Sequence, residues 1–210
     1  MFEARCKVRN LCRRFGAALT LGAMLVAASA CGGGSKPTVP PASPAATATA
    51  GVDPHDVPIT TYKSVSGLYT IDVPPGWKTL GIGATQEETF QDWSGALLLA
   101  EVGITCEPVI SRDGKQWTAN DYAERDVGFL KALGSSVKGA EDGRFDLTVD
   151  STPAVEVAYH AVFAGITVRQ IGVYVIKGSC AWIIHLRVFR GDPEFYGVVF
   201  SRMVNAFRAK

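Results

Sequence analysis

Gly67-Leu68-Tyr69-Thr70-Ile71-Asp72-Val73-Pro74-Pro75-Gly76-Trp77 carries the clearest short-range pattern in this chain of 210 residues. Tyr69, Ile71 and Val73 alternate with Thr70 and Asp72, a period of two that predicts a strand with one apolar face. Pro74-Pro75-Gly76-Trp77 closes it, because proline lacks the N–H that a strand ladder needs. On its N-terminal side, residues 60–64 predict a partner strand around a Ser66-Gly67 turn.

C-terminal to Trp77, residues 87–93 and 96–104 predict a hairpin about Ser94-Gly95. A helix follows, with Thr118 as N-cap, Tyr122, Ala123, Val127, Leu130 and Leu133 at helical spacing, and Gly134 as its stop. Four strands are then expected at 144–149, 154–163, 166–176 and 180–188, joined by turns at 150–153, Ala164-Gly165 and Gly178-Ser179. The last helix opens with Asp192 as N-cap and Pro193 at its first position, and sets Tyr196, Val199, Phe200, Met203 and Phe207 on one face. Strand runs without parallel crossovers, plus a central and a terminal helix, define an α+β domain with an antiparallel sheet flanked by helices.

This order resembles the PsbP-like fold: the Gly67 to Trp77 stretch, a central helix, a three-stranded meander, and a final helix ending Val204-Asn205-Ala206-Phe207. The resemblance covers nearly all of residues 60–207. In organisation it is most similar to the mycobacterial LpqN-type lipoproteins, which share a lipobox, a Pro/Thr/Ala tether and a single domain. It implies an α-β-α sandwich, usually without enzymatic activity and used to bind partners.

The N-terminus gives an address. Arg5, Lys7, Arg9, Arg13 and Arg14 precede an apolar run at 16–28 and the small residues Ser29 and Ala30. That is the order of a secretory signal, and the run is shorter than the roughly 20 apolar residues a membrane span needs. Ala28-Ser29-Ala30-Cys31 resembles a bacterial lipobox, with Ala28 where leucine is usual, and predicts lipidation of Cys31. The alternative is plain secretion with Cys31 an incidental thiol. Removal of residues 1–30 takes five cations and one acid, which turns a formal charge of +1 into −3. The basic excess therefore belongs to the signal, and nothing remains to attract nucleic acid. Residues 31–57 hold no aromatic side chain and are rich in Pro, Ser, Thr, Ala and Gly, as expected of a tether. The folded domain is expected over 58–210, on the extracytoplasmic face of the cell membrane.

Catalytic and metal motifs do not assemble. The three histidines include His55 in the tether, and neither His-Glu-x-x-His nor paired Cys-x-x-Cys occurs. Gly81-Ile82-Gly83 lacks the third glycine of a dinucleotide loop, and no Gly-x-Ser-x-Gly elbow is present. Glu87 with Glu88, and Asp121 with Glu124, are acid pairs more simply read as surface charge. No cofactor and no metal are implied.

Cys6 and Cys12 leave with the signal and Cys31 takes the lipid, so Cys106 and Cys180 remain in an oxidising compartment. An even pair there predicts a disulfide, and both lie at strand ends. The alternative is two buried thiols.

Two-residue hairpin turns would set Phe163 opposite Ile166 and Lys177 opposite Cys180. Tyr159, Gln170 and Arg187 then form one row, with Val157, Gly172 and His185 beside it. Val173, Trp182, Ile184, Leu186 and Val188 occupy the other face, suited to the final helix. Gly172 between larger neighbours predicts a shallow gap, and Tyr159, Gln170, Gly172, His185 and Arg187 are the candidate binding surface for a small polar ligand or a partner loop. The alternative is a face covered by the other helix, with these groups satisfied internally.

The expected function is that of a cell-envelope lipoprotein acting as a non-catalytic binding module. It would be held to the membrane through Cys31, with an envelope protein or small ligand as partner. The rivals are an envelope hydrolase or transferase, and a lipid carrier.

Overall fold

The computed structural model describes residues 52–81, 88–132, 137–140, 143–163 and 166–210. The signal, Cys31 and most of the tether lie outside these residues, as do Glu87, Leu133, Gly134 and the Ala164-Gly165 turn.

The alternating stretch forms β2 (Tyr69–Val73), with Tyr69, Ile71 and Val73 buried. It pairs antiparallel with β1 (Thr60–Lys63) on one side and with β13 (Arg208–Ala209) at the chain's end on the other. These three make a small sheet of their own. A simple α-β-α sandwich is thereby modified, since one outer layer is part helix and part sheet.

Among the described residues the large sheet has eight strands: β3 (Lys78–Leu80), β4 (Glu88–Ser94), β5 (Leu97–Pro108), β8 (Val137–Lys138), β9 (Arg144–Val149), β10 (Thr152–Phe163), β11 (Ile166–Lys177) and β12 (Cys180–Val188). Their order is β3-β4-β5-β12-β11-β10-β8, with β9 also paired to β10, and every pairing is antiparallel. A two-stranded ribbon, β6 (Ser111–Arg112) and β7 (Lys115–Gln116), leads into α1 (Ala119–Ala132). Helix α2 (Pro193–Ala206) precedes β13.

Local chemistry explains the boundaries. Thr118 and Asp121 cap α1 reciprocally: the Thr118 amide donates to the Asp121 carboxylate at 2.7 Å, and the Asp121 amide donates to the Thr118 hydroxyl at 3.4 Å. The Asp192 carboxylate accepts from the Glu194 amide at 2.8 Å, with Pro193 where its missing N–H costs nothing. β5 runs on to Pro108 because β12 pairs with it as far as Cys180 opposite Pro108. Thr152 and Pro153 belong to β10 and not to the turn before it. Pairing with β11 begins only at Ala154, so the proline deprives no neighbour there of a donor.

Helix α2 and β2 pack Tyr196, Val199, Phe200, Met203, Tyr69 and Ile71 against Val173, Trp182, Ile184 and Leu186 of the large sheet. Helix α1 covers the opposite face with Tyr122, Ala123 and Val127 against Val155, Val157, Tyr159 and Tyr174. Burying each such apolar side chain contributes about 1.5–3 kcal/mol. Cys106 and Cys180 are joined by a disulfide, with Cα atoms 5.4 Å apart on adjacent strands. The chain is already docked upstream of Pro58: Arg202 of α2 donates to the carbonyls of Pro54 and Val57, both at 2.8 Å. Among the described residues no helix is long and apolar enough to cross a membrane.

Candidate functional site

Six strands each place one side chain in a single row across the α1 side of the large sheet. Lys78 pairs with Gln91, Gln91 with Glu101, Glu101 with Arg187, Arg187 with Gln170, and Gln170 with Tyr159. Directly opposite residues share a face, so the row is continuous. The register across β10, β11 and β12 is the one expected from the hairpin turns, and it sets Val157, Gly172 and His185 in the next row. What the sequence did not indicate is the extension through Glu101, Gln91 and Lys78. The signal was there in the polar positions of β4 and β5 that alternate with buried Phe90, Ala100, Val102 and Ile104.

The row is tied together. Arg187 donates to Glu101 at 2.9 Å, Gln91 donates to the other Glu101 oxygen at 2.7 Å, and the Trp93 indole donates to Gln91 at 2.9 Å. Residues two apart on a strand share a face, which brings Trp93 to Gln91, and the register shift beside them leaves Leu99 of β5 without an opposite residue. Asp92 turns to the α2 side and accepts from the Tyr196 hydroxyl at 2.6 Å, whereas Trp93 joins the row. Lys78 lies over the Trp93 ring, 5.0 Å from its centroid. Trp93 is 36% exposed and the Arg187 side chain 35%.

The inner members are covered. Tyr159, Gln170 and His185 are buried, Tyr159 to 2% exposure. The Tyr159 hydroxyl has no hydrogen-bond partner among the described residues. Burial raises its pKa, with the Asp126 charge acting in the same direction and Arg187 opposing. Burial, and then Arg187, hold the His185 imidazole well below its ordinary value. The gap expected at Gly172 is filled: a Cβ placed there would lie 2.8 Å from the Tyr174 hydroxyl oxygen. Residues two apart share a face, and the Tyr174 ring leans back along β11 over the glycine. Its hydroxyl bonds to Asp126 of α1, whose carboxyl is pushed up by burial although Arg125 pulls it down. Arg125 in turn pairs with Asp126 at 2.7 Å and Glu107 at 2.5 Å.

The acid pairs considered from sequence do not converge. Glu88 is buried among tyrosines, Asp121 caps α1, and Glu124 pairs with Arg144 at 3.4 Å. A shallow cleft of about 430 Å³ lies between α1 and the start of β9, lined by Glu124, Val127, Gly128, Lys131, Ala140 and Arg144. Among the described residues no group of three or more His, Cys, Asp or Glu side chains is placed to hold a metal ion. The arrangement offers a fixed indole and a fixed guanidinium at the surface, a chemistry of recognition.

No family model and no curated protein matches the chain. Solved structures do. Cyanobacterial PsbP from Synechocystis sp. PCC 6803 is 11% identical over 73% of this chain and 94% of its own, with a TM-score of 0.52. The Ran-binding protein Mog1p of Saccharomyces cerevisiae is 13% identical over 73% and 96%, also at 0.52. LpqN of Mycobacterium tuberculosis, described as involved in cell envelope biogenesis, is 17% identical over 71% and 89%, at 0.42. With the first two, this chain shares the PsbP-like fold.

Proposed function

We propose that this protein is a non-catalytic binding module of the cell envelope, anchored through a lipid on Cys31 to the extracytoplasmic face of the membrane, and that it grips a protein partner with Trp93, Lys78 and Arg187. The observation that carries the recognition surface is that Trp93 and Arg187 stand half-open to solvent while Gln91 and Glu101 fix each of them from below. Tryptophan and arginine dominate binding energy at protein interfaces, and groups already held in place lose little freedom on binding. The candidate row thus divides by depth. Tyr159, Gln170, Gly172 and His185 support it, and Arg187 with Trp93 meets the partner. A Ran-binding protein with the same fold is a precedent for protein recognition on this scaffold.

The anchor rests on the lipobox-like Ala28 to Cys31 and on the tether behind it. Two acyl chains on one cysteine give stable membrane attachment where one gives marginal attachment.

The test is capture of envelope proteins by the lipidated wild type, Trp93→Ala and Arg187→Ala. A partner retained by the wild type should bind each variant at least about tenfold more weakly, with the thermal midpoint of Trp93→Ala nearly unchanged. Undiminished capture per folded molecule would refute the surface. Separately, Cys31→Ser should move the protein from the detergent to the aqueous phase or leave it unprocessed. Processed protein that still partitions into detergent would refute the anchor.

A further inference from the structure

On the α2 side of the large sheet, beyond the part that α2 and the small sheet cover, β8, β10 and β11 bring three basic side chains side by side. His160 pairs with Lys138 on one flank and with Arg169 on the other, so all three point from the same face. Lys138 and His160 are exposed and Arg169 is half-buried. Lys138 and Arg169 stand on either side of His160 with no opposite charge between them, so cross-strand charge pairing gives no account of the row.

Apolar side chains flank it. Val162, two residues along from His160 and on the same face, is 36% exposed. Phe145 of β9 is 57% exposed, and it pairs with Glu156 on this face. Among the described residues Glu156 is an acid within the patch: burial raises its pKa, and the charge of Arg169 acts against that rise. Asp192 and Glu194 follow the end of β12, whose last residue Val188 pairs with Arg169.

We infer that this face docks on an anionic lipid bilayer and sets the orientation of the domain at the membrane. The inference rests on the proposed anchor at Cys31, and three observations choose the occupant. Twenty residues separate Cys31 from Val52, at most about 70 Å of fully extended chain, so a lipid on Cys31 keeps headgroups within reach of the domain. The mature chain carries net −3 and is repelled as a whole by an anionic surface, so only a localised basic face can approach one. The patch interleaves cations with Val162 and Phe145 on an open sheet, which suits headgroups outside and apolar contact at the boundary.

The full mature chain carrying Cys31→Ser supplies no acyl chain, so any vesicle binding belongs to the folded domain. It should sediment with phosphatidylglycerol vesicles at low salt, lose them at high salt, and ignore pure phosphatidylcholine. Lys138→Gln with Arg169→Gln should bind about thirtyfold more weakly, and Lys138→Glu with Arg169→Glu more weakly still. Lys63→Glu with Lys115→Glu makes the same charge change on exposed residues elsewhere and should lose far less. Circular dichroism and the thermal midpoint confirm that each variant is folded.

Equal binding to neutral vesicles, no binding to either, or equal loss in both Glu pairs would overturn the inference. So would capture of the chain by polyglutamate with none by phosphatidylglycerol, which would assign the face to an acidic polypeptide. Detergent partition of the lipidated wild type reports on the anchor independently, so failure of either proposal is visible without the other.

Discussion

The hydroxyl of Tyr69 donates to the carboxylate of Glu88, and through that bond the small sheet is held to the large one. Glu88 sits 1% exposed on β4 and also accepts the Val65 amide at 2.7 Å and the Tyr62 hydroxyl at 3.3 Å. Three donors from the β1–β2 hairpin thus converge on one buried carboxylate, and both tyrosine pKa values are raised, burial being the first cause in each. Glu88→Ala should destabilise the domain by about 3 kcal/mol or more, because it leaves the donors unmatched. Tyr69→Phe should cost about 1–2 kcal/mol. Denaturant unfolding measures both, and a neutral Glu88→Ala would show the hairpin to be held by packing alone.

The Cys106 to Cys180 bridge closes a loop with a sequence separation of 74. The chain-entropy model assigns such a loop roughly 4.5 kcal/mol, and experiment often finds less. Thermal unfolding of the secreted domain should move down clearly on reduction. Alkylation and mass measurement before reduction should find neither thiol of the pair free.

His185 predicts a pH limb. Burial and Arg187 keep its folded pKa well below the ordinary 6.5, so the unfolded chain takes up the proton first as pH falls. Stability should therefore decline below about pH 6.5, by at most about 1.4 kcal/mol per pH unit, until the folded pKa is reached. His185→Gln should remove that limb. A second loss belongs to Asp150, whose carboxyl the hydrogen bond from Lys177 holds below its ordinary 3.8. Its stabilisation is present above that value and disappears as pH falls through the folded one. Asp150→Asn should flatten this lower limb and leave the upper one intact.

Gly172→Ala tests whether the space beside the row is filled. The new Cβ must displace a tyrosine ring that is 2% exposed and bonded to Asp126, at a cost of about 1–3 kcal/mol. A neutral or stabilised variant would mean that Tyr174 leaves the space readily. In that case the site is open.

Much of this architecture was legible where the chain's own rules are local. Two-residue turns fix register, and Tyr159, Gln170 and Arg187 fell into line because the pleat has a period of two. Asp192 and Pro193 marked the start of α2 by cap chemistry alone. The short strands β3, β8 and β13 were not legible, since two or three residues carry no period and exist because a longer strand offers a free edge. Trp93 shares a face with Gln91 by the ordinary period of two, but its place beside the row follows only from the pairing of β4 with β5, which a strand read alone does not show. The filled space at Gly172 depends on how a neighbouring ring leans, which residue spacing does not encode.

The last strand, finally, sets a timetable. Arg208 and Ala209 pair with Thr70 and Tyr69, the Lys210 amide donates to the Leu68 carbonyl at 2.9 Å, and the Ala209 amide donates to the Asp150 carboxylate at 3.0 Å. The second strand made therefore waits for Arg208 and Ala209 before its outer edge is closed. Ribosome and export channel alike keep that edge bare until residues 208–210 have emerged. A chain cut short before Arg208 would leave it bare for the life of the molecule.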